Sequence, residues 1–457
     1  MIIAMNRDLT KGNMLRNMIS FSIPYVIAFF LQTFYGLADL YVVGRFNDPM
    51  TVDAVSIGSQ AMHMVTVILI GLTMGITVSV SHAIGAGRSK DTSGIIGNAV
   101  VIFSITAAVI TALSLLLRKP FLSLLQTPAE AYEGTLDYIT VCFAGIPFIT
   151  AFNVVSSIFR GMGNSRSPLY FVAVSGVLNV GLDLLFVGGM DMGARGAALA
   201  TVIAQGVSVV ISVIMLRKSL ACMSEPVTIE RTDLRPSSSI IGKILRIGAP
   251  IALQDGFIQV AFLIITVFAN MRGYESSTAV GIVEKVISIA FLINSAVLSS
   301  ISAIAAQNNG AGLHENSRKA LRYGLIICIV YGILVNMFVQ IFCPQIISLF
   351  AAGDETVHLL GESYLRSYIT DCIFAGIHFC FSGYFTAYDK SWISFLHNSI
   401  SAVCVRIPLS YIASIMYKNT LFPMGMAAPI GSLVSIVICV IAYLSIRSRQ
   451  KKAERLS

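Results

Sequence analysis

The chain has 457 residues, of which 56% are hydrophobic and only 12% are charged, whereas an ordinary soluble domain has about 25% charged residues. The mean hydropathy of +0.80 is spread over the whole length, which excludes a soluble enzyme with a single membrane tether. The formal net charge of +8 would suggest a nucleic-acid partner only if the basic residues formed one surface.

Twelve apolar runs, each about 20 residues or longer, follow one another along the chain. They are continuously apolar, unlike the alternating strands of an outer-membrane barrel, so they predict helices and an all-α polytopic membrane fold. The predicted spans are residues 17–43, 54–83, 96–117, 138–159, 168–188, 196–216, 247–270, 277–305, 323–343, 367–387, 392–415 and 424–446. The N-terminal segment lacks the short apolar core and cleavage site of a removable signal peptide.

Lys and Arg are divided unequally between the loops on the two sides of these spans. Most of them fall on the side of the N-terminus, and the positive-inside rule therefore predicts that both termini are cytoplasmic. The net charge thus indicates membrane topology, and no nucleic-acid partner is expected. The eight cysteines show no CxxC spacing, so neither a metal site nor a disulfide framework is expected.

An internal repeat divides the chain into two halves. Residues 54–87 recur as residues 279–312, SFSIP ending at Pro24 returns as RIGAP ending at Pro250, and YITVCFAGIPF returns as YITDCIFAGIHF. Repeats in the same order predict two six-helix bundles related by a parallel repeat. The predicted domains are an N-lobe at 1–216 with TM1–TM6, a cytoplasmic linker at 217–246, a C-lobe at 247–446 with TM7–TM12, and a basic cytoplasmic tail at 447–457.

Ionisable residues inside the spans are informative because a charge in lipid costs roughly 2.5–3.5 kcal/mol even on the lenient insertion scale. The first half has two, Asp39 on the first span and Asp183 on the fifth. Gln32 precedes Asp39 by two helical turns and Asn179 precedes Asp183 by about one, so each shares the helical face of its acid.

The first half has no intramembrane Lys or Arg to neutralise these acids. Two carboxylates with neutral neighbours are expected to take up a cation, either a shared proton or Na⁺ held by several oxygens. The alternative is that both acids are protonated and serve only as structural hydrogen-bonders. The predicted coupling site, with two further oxygen-bearing side chains from spans 4 and 6, comprises Gln32, Asp39, Asn153, Asn179, Asp183 and Thr201.

The second half is nearly self-neutralising, because its intramembrane acids are accompanied by two bases. A structural or gating ion-pair network is as good an interpretation here as a role in transport. These secondary candidates are Asp255, Glu284, Lys285, Asp371 and Arg406. His63, His378 and His397 stand isolated in apolar surroundings and are interpreted as helix-packing hydrogen-bonders.

The glycine-rich segments GAGR and RGMGNS are interpreted as tight cytoplasmic turns. No strand precedes them and no GK[ST] follows, so they are not phosphate loops. The chain also lacks a zinc-binding helix and a catalytic triad in a polar cleft. We therefore expect no enzymatic activity, and no cofactor apart from a coupling ion.

Four motifs resemble the multidrug and toxic compound extrusion (MATE) family, in particular its bacterial DNA-damage-inducible-protein-F-like branch. They are ADLYVVGRF around Asp39, FRGMGNSRSP around Arg160, LNVGLDLLF around Asp183 and MGARGAALATVIAQ from Met192. The resemblance implies a V-shaped pair of bundles in the bacterial plasma membrane that exports cationic amphipathic drugs in exchange for H⁺ or Na⁺. In that branch the coupling network has the pattern formed here by the first-half cluster.

The other bacterial branch of the family relies on acids in spans 7 and 10. Asp255 and Asp371 lie in those spans, but their surroundings do not reproduce that branch's motifs, so the role is not transferred. A lipid-linked saccharide flippase of the same superfamily is the rival hypothesis, and it would need several intramembrane bases for pyrophosphate. We further expect a monomer, and a bending point at Pro24, which removes a backbone donor inside the first span.

Overall fold

The computed structural model describes residues 7–124, 127–223, 226–351 and 353–454. Within these ranges the chain consists of α-helices with two short π-helical segments and no β-strand, so the predicted all-α fold is confirmed. Residues 1–6 of the predicted N-lobe, 224–225 of the predicted linker and 455–457 of the predicted tail lie outside the described residues.

Seven α-helices cover the first half of the chain. Helices α4 and α5 are bent by 47° relative to one another, with Gly145 between them, and α6 continues directly into a π-helical segment at Leu184–Gly189. The bounds are α1 Met14–Phe46, α2 Pro49–Gly85, α3 Ser89–Leu124, α4 Ala129–Ala144, α5 Ile146–Gly161, α6 Arg166–Asp183 and α7 Gly193–Ala221.

The second half has nine α-helices. A second π-helical segment, Ser401–Arg406, lies between α14 and α15. The bounds are α8 Ser238–Asn270, α9 Tyr274–Ala290, α10 Leu292–Gly310, α11 His314–Ser348, α12 Glu355–Tyr368, α13 Asp371–Ala387, α14 Ser391–Ile400, α15 Ile407–Met416 and α16 Phe422–Glu454.

Ten helical stretches in the described chain are long and apolar enough to cross a membrane, or 11 when the bent pair α4 and α5 is included. These stretches match every predicted span except residues 367–387. That segment corresponds to α13, which has 17 residues and is separated from α12 by a turn at Ile369 and Thr370. The protein therefore crosses the membrane many times.

The side chain of Asp48 determines where α2 begins. Its Oδ1 accepts hydrogen bonds from the hydroxyl of Thr51 at 2.6 Å and from the Thr51 backbone N–H at 2.9 Å. These bonds lower the pKa of Asp48, because they stabilise the ionised carboxylate at the helix N-terminus. Asp354 caps α12 in the same way, accepting from the N–H groups of Thr356 and Val357.

The described chain divides into two compact units. The first contains the residues up to Lys11, Ile23–Ala252 and Gly310–Gly312, and the second contains Gly12–Ser22, Leu253–Asn309 and the residues from Leu313 onward. Helix α1 therefore changes unit close to Pro24, and α8 changes unit close to Pro250. The lobe boundaries drawn from the sequence repeat stay a prediction.

Each unit has its own apolar core. In the first unit, Phe103, Phe159 and Phe171 are among the side chains that fill the core between α3, α5 and α6. In the second unit, aromatic and aliphatic side chains of α9, α11, α12 and α16 form the corresponding core. These cores hold the helices that carry the buried polar residues described below.

Helices α2 and α8 approach each other closely enough for their backbones to touch within the first unit. A Cβ atom at Gly75 would lie 2.2 Å from the carbonyl oxygen of Ile244, and one at Gly248 would lie 2.1 Å from that of Leu72. Only glycine permits this approach, because both opposing atoms belong to the backbone and cannot rotate away.

We predict that Gly248→Ala lowers stability by about 1 to 3 kcal/mol, because the added methyl group overpacks this crossing. The control is Gly256→Ala on the same helix, where a Cβ atom would meet nothing within 4 Å. That control should be neutral or slightly stabilising, since alanine is the better helix former. Thermal unfolding in detergent measures both, and equal melting temperatures would contradict the contact.

Candidate functional site

Small residues bring α1 and α6 side by side in the first unit. A Cβ atom at Gly176 would lie 3.0 Å from the ring of Tyr35, and one at Gly188 would lie 3.1 Å from the ring of Phe46. The two intramembrane acids of the first half lie between these contacts along their helices. The packing of the two helices therefore determines that the acids meet.

Asp39 and Asp183 face each other within hydrogen-bonding distance. Their exposed fractions are only 5% and 0%. Oδ1 of Asp39 and both carboxylate oxygens of Asp183 receive no hydrogen bond from any donor in the described chain. Two buried carboxyl groups this close cannot both stay ionised without repelling each other, so the pair is suited to hold one cation.

The local backbone around Asp183 is irregular. Asp183 is the last residue of α6, and the following Leu184–Gly189 segment is π-helical. Such wider turns are rare and occur frequently at functional sites. The irregular turn therefore lies directly beside one acid of the pair.

The other predicted members of the coupling site are distributed differently. Asn179 donates a hydrogen bond from Nδ2 to Oγ1 of Thr201 at 3.3 Å, which joins α6 to α7 about one turn before the acid of α6. Asn153 instead donates to the carbonyl of Ile149 in its own helix at 2.8 Å. The side chain of Gln32 makes no hydrogen bond among the described residues. The structure thus joins neither Asn153 nor Gln32 to the acids by a hydrogen bond.

Two side chains of α4 near Asp39 are absent from the predicted site. Tyr138 and Cys142 both lie close enough to Asp39 to interact with it electrostatically. The hydroxyl of Tyr138 is 3.1 Å from Oγ of Ser59. A Cβ atom at Gly58 would lie 2.3 Å from the Tyr138 ring, so glycine makes room for it. The sequence signal that points to this tyrosine is the repeated Tyr-Ile-Thr, which starts at Tyr138 in the first half.

The second copy of that motif begins at Tyr368, which belongs to a different cluster in the second unit, centred on Arg406. The guanidinium of Arg406 lies 4.6 Å from the ring centre of Phe262 and 5.1 Å from that of Tyr368, and it donates to the Tyr368 hydroxyl. Glu284 and Asp371 interact with Arg406 electrostatically. Arg406 is therefore shared by the two acids. Each acid also has one buried carboxylate oxygen that accepts no hydrogen bond in the described chain.

Two of the five secondary candidates do not belong to this cluster. Lys285 is exposed and follows Glu284 directly, so the helix turns it to another face. Asp255 instead accepts a hydrogen bond from Nε2 of its neighbour Gln254 at 3.4 Å. The predicted five-residue network is therefore reduced to three residues.

Two of the histidines expected to be isolated lie next to each other. The rings of His378 and His397 are 5.6 Å apart between centroids, and both are buried. The expectation of isolation is wrong for this pair, because it rested on spacing along the sequence and the contact joins two different helices. His63 is exposed on α2.

A helical membrane protein with a repeated architecture and buried, incompletely paired charges has the features of a membrane transporter. The chain belongs to the MatE family, whose model matches residues 24–185 and 250–412, one match in each half. This confirms the resemblance to the MATE family and the expectation that the protein is a transporter and not an enzyme.

Individual relatives match over nearly the full length. The probable multidrug resistance protein YoeA of Bacillus subtilis is 23% identical over 452 residues, which cover 98% of this chain and 97% of YoeA. YpnP of the same organism, also a probable multidrug resistance protein, is 26% identical over 449 residues, 98% of each chain. A solved MOP superfamily transporter from Pyrococcus furiosus has a TM-score of 0.88 at 22% identity, over 96% of this chain and 97% of its own.

We predict that Arg406→Met destabilises the protein by about 3 to 5 kcal/mol, because it leaves two buried acids without their base. Adding Glu284→Gln to Arg406→Met should restore part of the loss, since one of the uncompensated acids is then removed. The matched control is Lys285→Met, an exposed base next to Glu284, which should change little. Melting temperatures in detergent test this, and equal values for Arg406→Met and Lys285→Met would refute the cluster.

Proposed function

We propose that this protein is a secondary active multidrug efflux antiporter. It exports cationic amphipathic compounds by alternating access, in exchange for protons, across a bacterial plasma membrane with both termini in the cytoplasm. It works as a monomer and needs no cofactor besides the coupling ion. The observation that carries this proposal is the buried Asp39–Asp183 pair, in which three carboxylate oxygens have no hydrogen-bond donor among the described residues.

The chemistry of the pair favours a proton over Na⁺ as the coupling ion. One proton shared by two facing carboxyl groups supplies the donor that both lack and removes their repulsion. A hard metal cation needs several oxygen ligands in addition. Of the neighbours predicted to provide them, Asn179 donates an amide hydrogen to Thr201 and Asn153 donates one to its own helix, and among the described residues neither is hydrogen-bonded to the acids.

Coupling follows from competition for negative charge. With one shared proton the pair carries a single negative charge, and the shared hydrogen bond favours the close approach of α1 and α6. Without the proton the two carboxylates repel each other and favour the alternative arrangement. A cationic drug interacts better with the deprotonated, negatively charged unit. Proton and drug therefore stabilise different states, and the two are exchanged rather than carried together.

The nature of the substrate is supported by the relatives and by the distribution of charge. Two relatives carry names that refer to multidrug resistance. A saccharide flippase would need bases free to bind pyrophosphate, whereas Arg406 already interacts with Glu284 and Asp371. The acidic pair of the first unit favours a cation.

We predict that Asp39→Asn and Asp183→Asn each abolish proton-driven drug transport, because a carboxamide cannot exchange a proton. Both proteins should still reach the membrane, since Asn is nearly isosteric with Asp. Asp53→Asn, an exposed acid on α2, is the matched control and should transport normally. The measurement is uptake of a fluorescent organic cation into proteoliposomes under an imposed ΔpH.

The coupling ion is tested in the same vesicles by imposing a Na⁺ gradient without ΔpH. Proton coupling predicts transport with ΔpH alone and none with the Na⁺ gradient alone. The reverse result would replace the proton with Na⁺ and keep the antiporter. Undiminished gradient-driven transport by both acid variants would remove the Asp39–Asp183 pair from the coupling mechanism.

A further inference from the structure

A line of buried polar side chains runs through the second unit beside the Arg406 cluster. The hydroxyl of Ser432 on α16 lies close enough to the carboxyl group of Asp371 to interact with it, and it lies 3.4 Å from Nε2 of His378. His378 in turn packs against His397 of α14, with ring centroids 5.6 Å apart. Nε2 of His397 lies 3.0 Å from Oγ of Ser382.

Every member of this line is shielded from solvent. The exposed fractions are 2% for Asp371, 5% for Ser432, 5% for His378, 0% for His397 and 3% for Ser382. Polar groups are costly inside a membrane, and a run of them connecting several helices is typical of ion or proton pathways. The line therefore requires an explanation beyond the packing of single residues.

The two imidazoles are not fully used as packing hydrogen-bonders. Nδ1 of His378 and Nδ1 of His397 are buried and have no partner in the described chain, and the same holds for Oδ1 of Asp371. A structural network would satisfy these atoms, because each unsatisfied buried group costs free energy. The free nitrogens belong to two neighbouring rings that pack edge to face, with centroids 5.6 Å apart.

The line is long enough to carry a proton over a substantial part of the membrane. Asp371 is the first residue of α13, and Ser382 is on the same helix. At a rise of about 1.5 Å per residue the two are roughly 16 Å apart along the axis, about half of a 30 Å hydrocarbon core. Beyond Ser382, the hydroxyl of Ser394 in the first turn of α14 donates to the Ser382 carbonyl at 3.3 Å.

We propose that Ser382, His397, His378, Ser432 and Asp371 form a proton relay in the second unit, distinct from the Asp39–Asp183 pair. This inference rests on the proton coupling proposed above and adds a second route for protons. It assigns to the two histidines a function that packing alone does not provide.

The transfer conserves protons at each step. His378 passes the proton on its Nε2 to Oγ of Ser432, while Ser432 passes its own hydroxyl proton to the carboxylate of Asp371. In the same step His378 takes up a proton at Nδ1 from Nδ1 of His397, and His397 is reprotonated at Nε2 from the side of Ser382, so neither ring is left without a proton. One proton enters at Ser382 and one arrives at Asp371, and no bond other than O–H and N–H bonds changes. Imidazole is suited to this because its two nitrogens can accept and release a proton separately.

Several charged and titratable side chains of the described chain lie around the relay, including Cys372 next to Asp371. Arg406 interacts electrostatically with both His378 and Asp371, so a fixed positive charge lies beside the end of the line. Others are Tyr368 of α12 beside Asp371, Glu284 of α9 beside Arg406, and Cys328 of α11 in contact with Cys380. Arg406 attracts a negatively charged Asp371 and thereby keeps a proton acceptor at the end of the relay.

The test separates proton movement from substrate movement. In proteoliposomes, His378→Gln and His397→Gln are compared with the wild type for ΔpH-driven uptake of an organic cation and for exchange of labelled against unlabelled cation without a gradient. Glutamine keeps hydrogen-bonding groups but cannot relay a proton. We expect at least a ~100-fold loss of the ΔpH-driven rate in each variant with exchange retained, a loss in the usual range for a positioned proton-transfer group. His63→Gln, at the exposed histidine, is the control.

Each outcome decides between the relay and its alternatives. Retention of the ΔpH-driven rate in both variants would exclude the relay. A parallel loss of exchange, ΔpH-driven uptake and melting temperature would indicate a structural role and also exclude it. Ser432→Ala is the second probe, and it should show the same selective loss. If wild-type protein itself shows no ΔpH-driven uptake, the proposed proton coupling fails, a result distinct from failure of the histidine variants alone.

Discussion

The structure depends on one physical constraint, which is that lipid offers no water to a buried charge. Every ionisable side chain within the helices must therefore be compensated by the protein itself or by an ion that it binds. The first unit brings Asp39 and Asp183 together, and no base of the described chain interacts with them. The second unit places Arg406 among Tyr368, Glu284 and Asp371. The first arrangement leaves a place for a cation, whereas the second already contains one.

The two arrangements are variations on one repeated design. Each half has a π-helical segment next to its charged residues, following Asp183 in one half and ending at Arg406 in the other. Each also has a tyrosine from the repeated Tyr-Ile-Thr motif near an acid, Tyr138 near Asp39 and Tyr368 near Asp371. The repeat therefore preserves the irregular backbone and the aromatic neighbour, while the second half adds a base, Arg406, to its acids. A symmetric fold can in this way carry out unequal tasks in its two halves.

The helical segments, the repeat and the two acids of the first half follow from the sequence because hydropathy, self-similarity and the rarity of charge are local properties. The neighbours of those acids do not, since Tyr138 reaches Asp39 only through the packing of α4 against α2. The separation of Lys285 from Glu284 depends on helical rotation, which a count of charges ignores. The contact between His378 and His397 joins α13 to α14 and cannot be predicted from the spacing of the two residues along the sequence. Tertiary packing determines what these residues touch, whereas the sequence shows only their type and their spacing along the chain.

The number of proton sites determines which part of the proton gradient can drive export. With one proton exchanged for one singly charged drug, no net charge crosses the membrane and the membrane potential does no work. Two protons, one at the Asp39–Asp183 pair and one delivered to Asp371, would move one net charge. A potential of 100 mV then contributes about 2.3 kcal/mol per cycle, which corresponds to a roughly 50-fold steeper drug gradient. A relay in the second unit would thus give the transporter access to the electrical component of the gradient, which the acid pair alone cannot use.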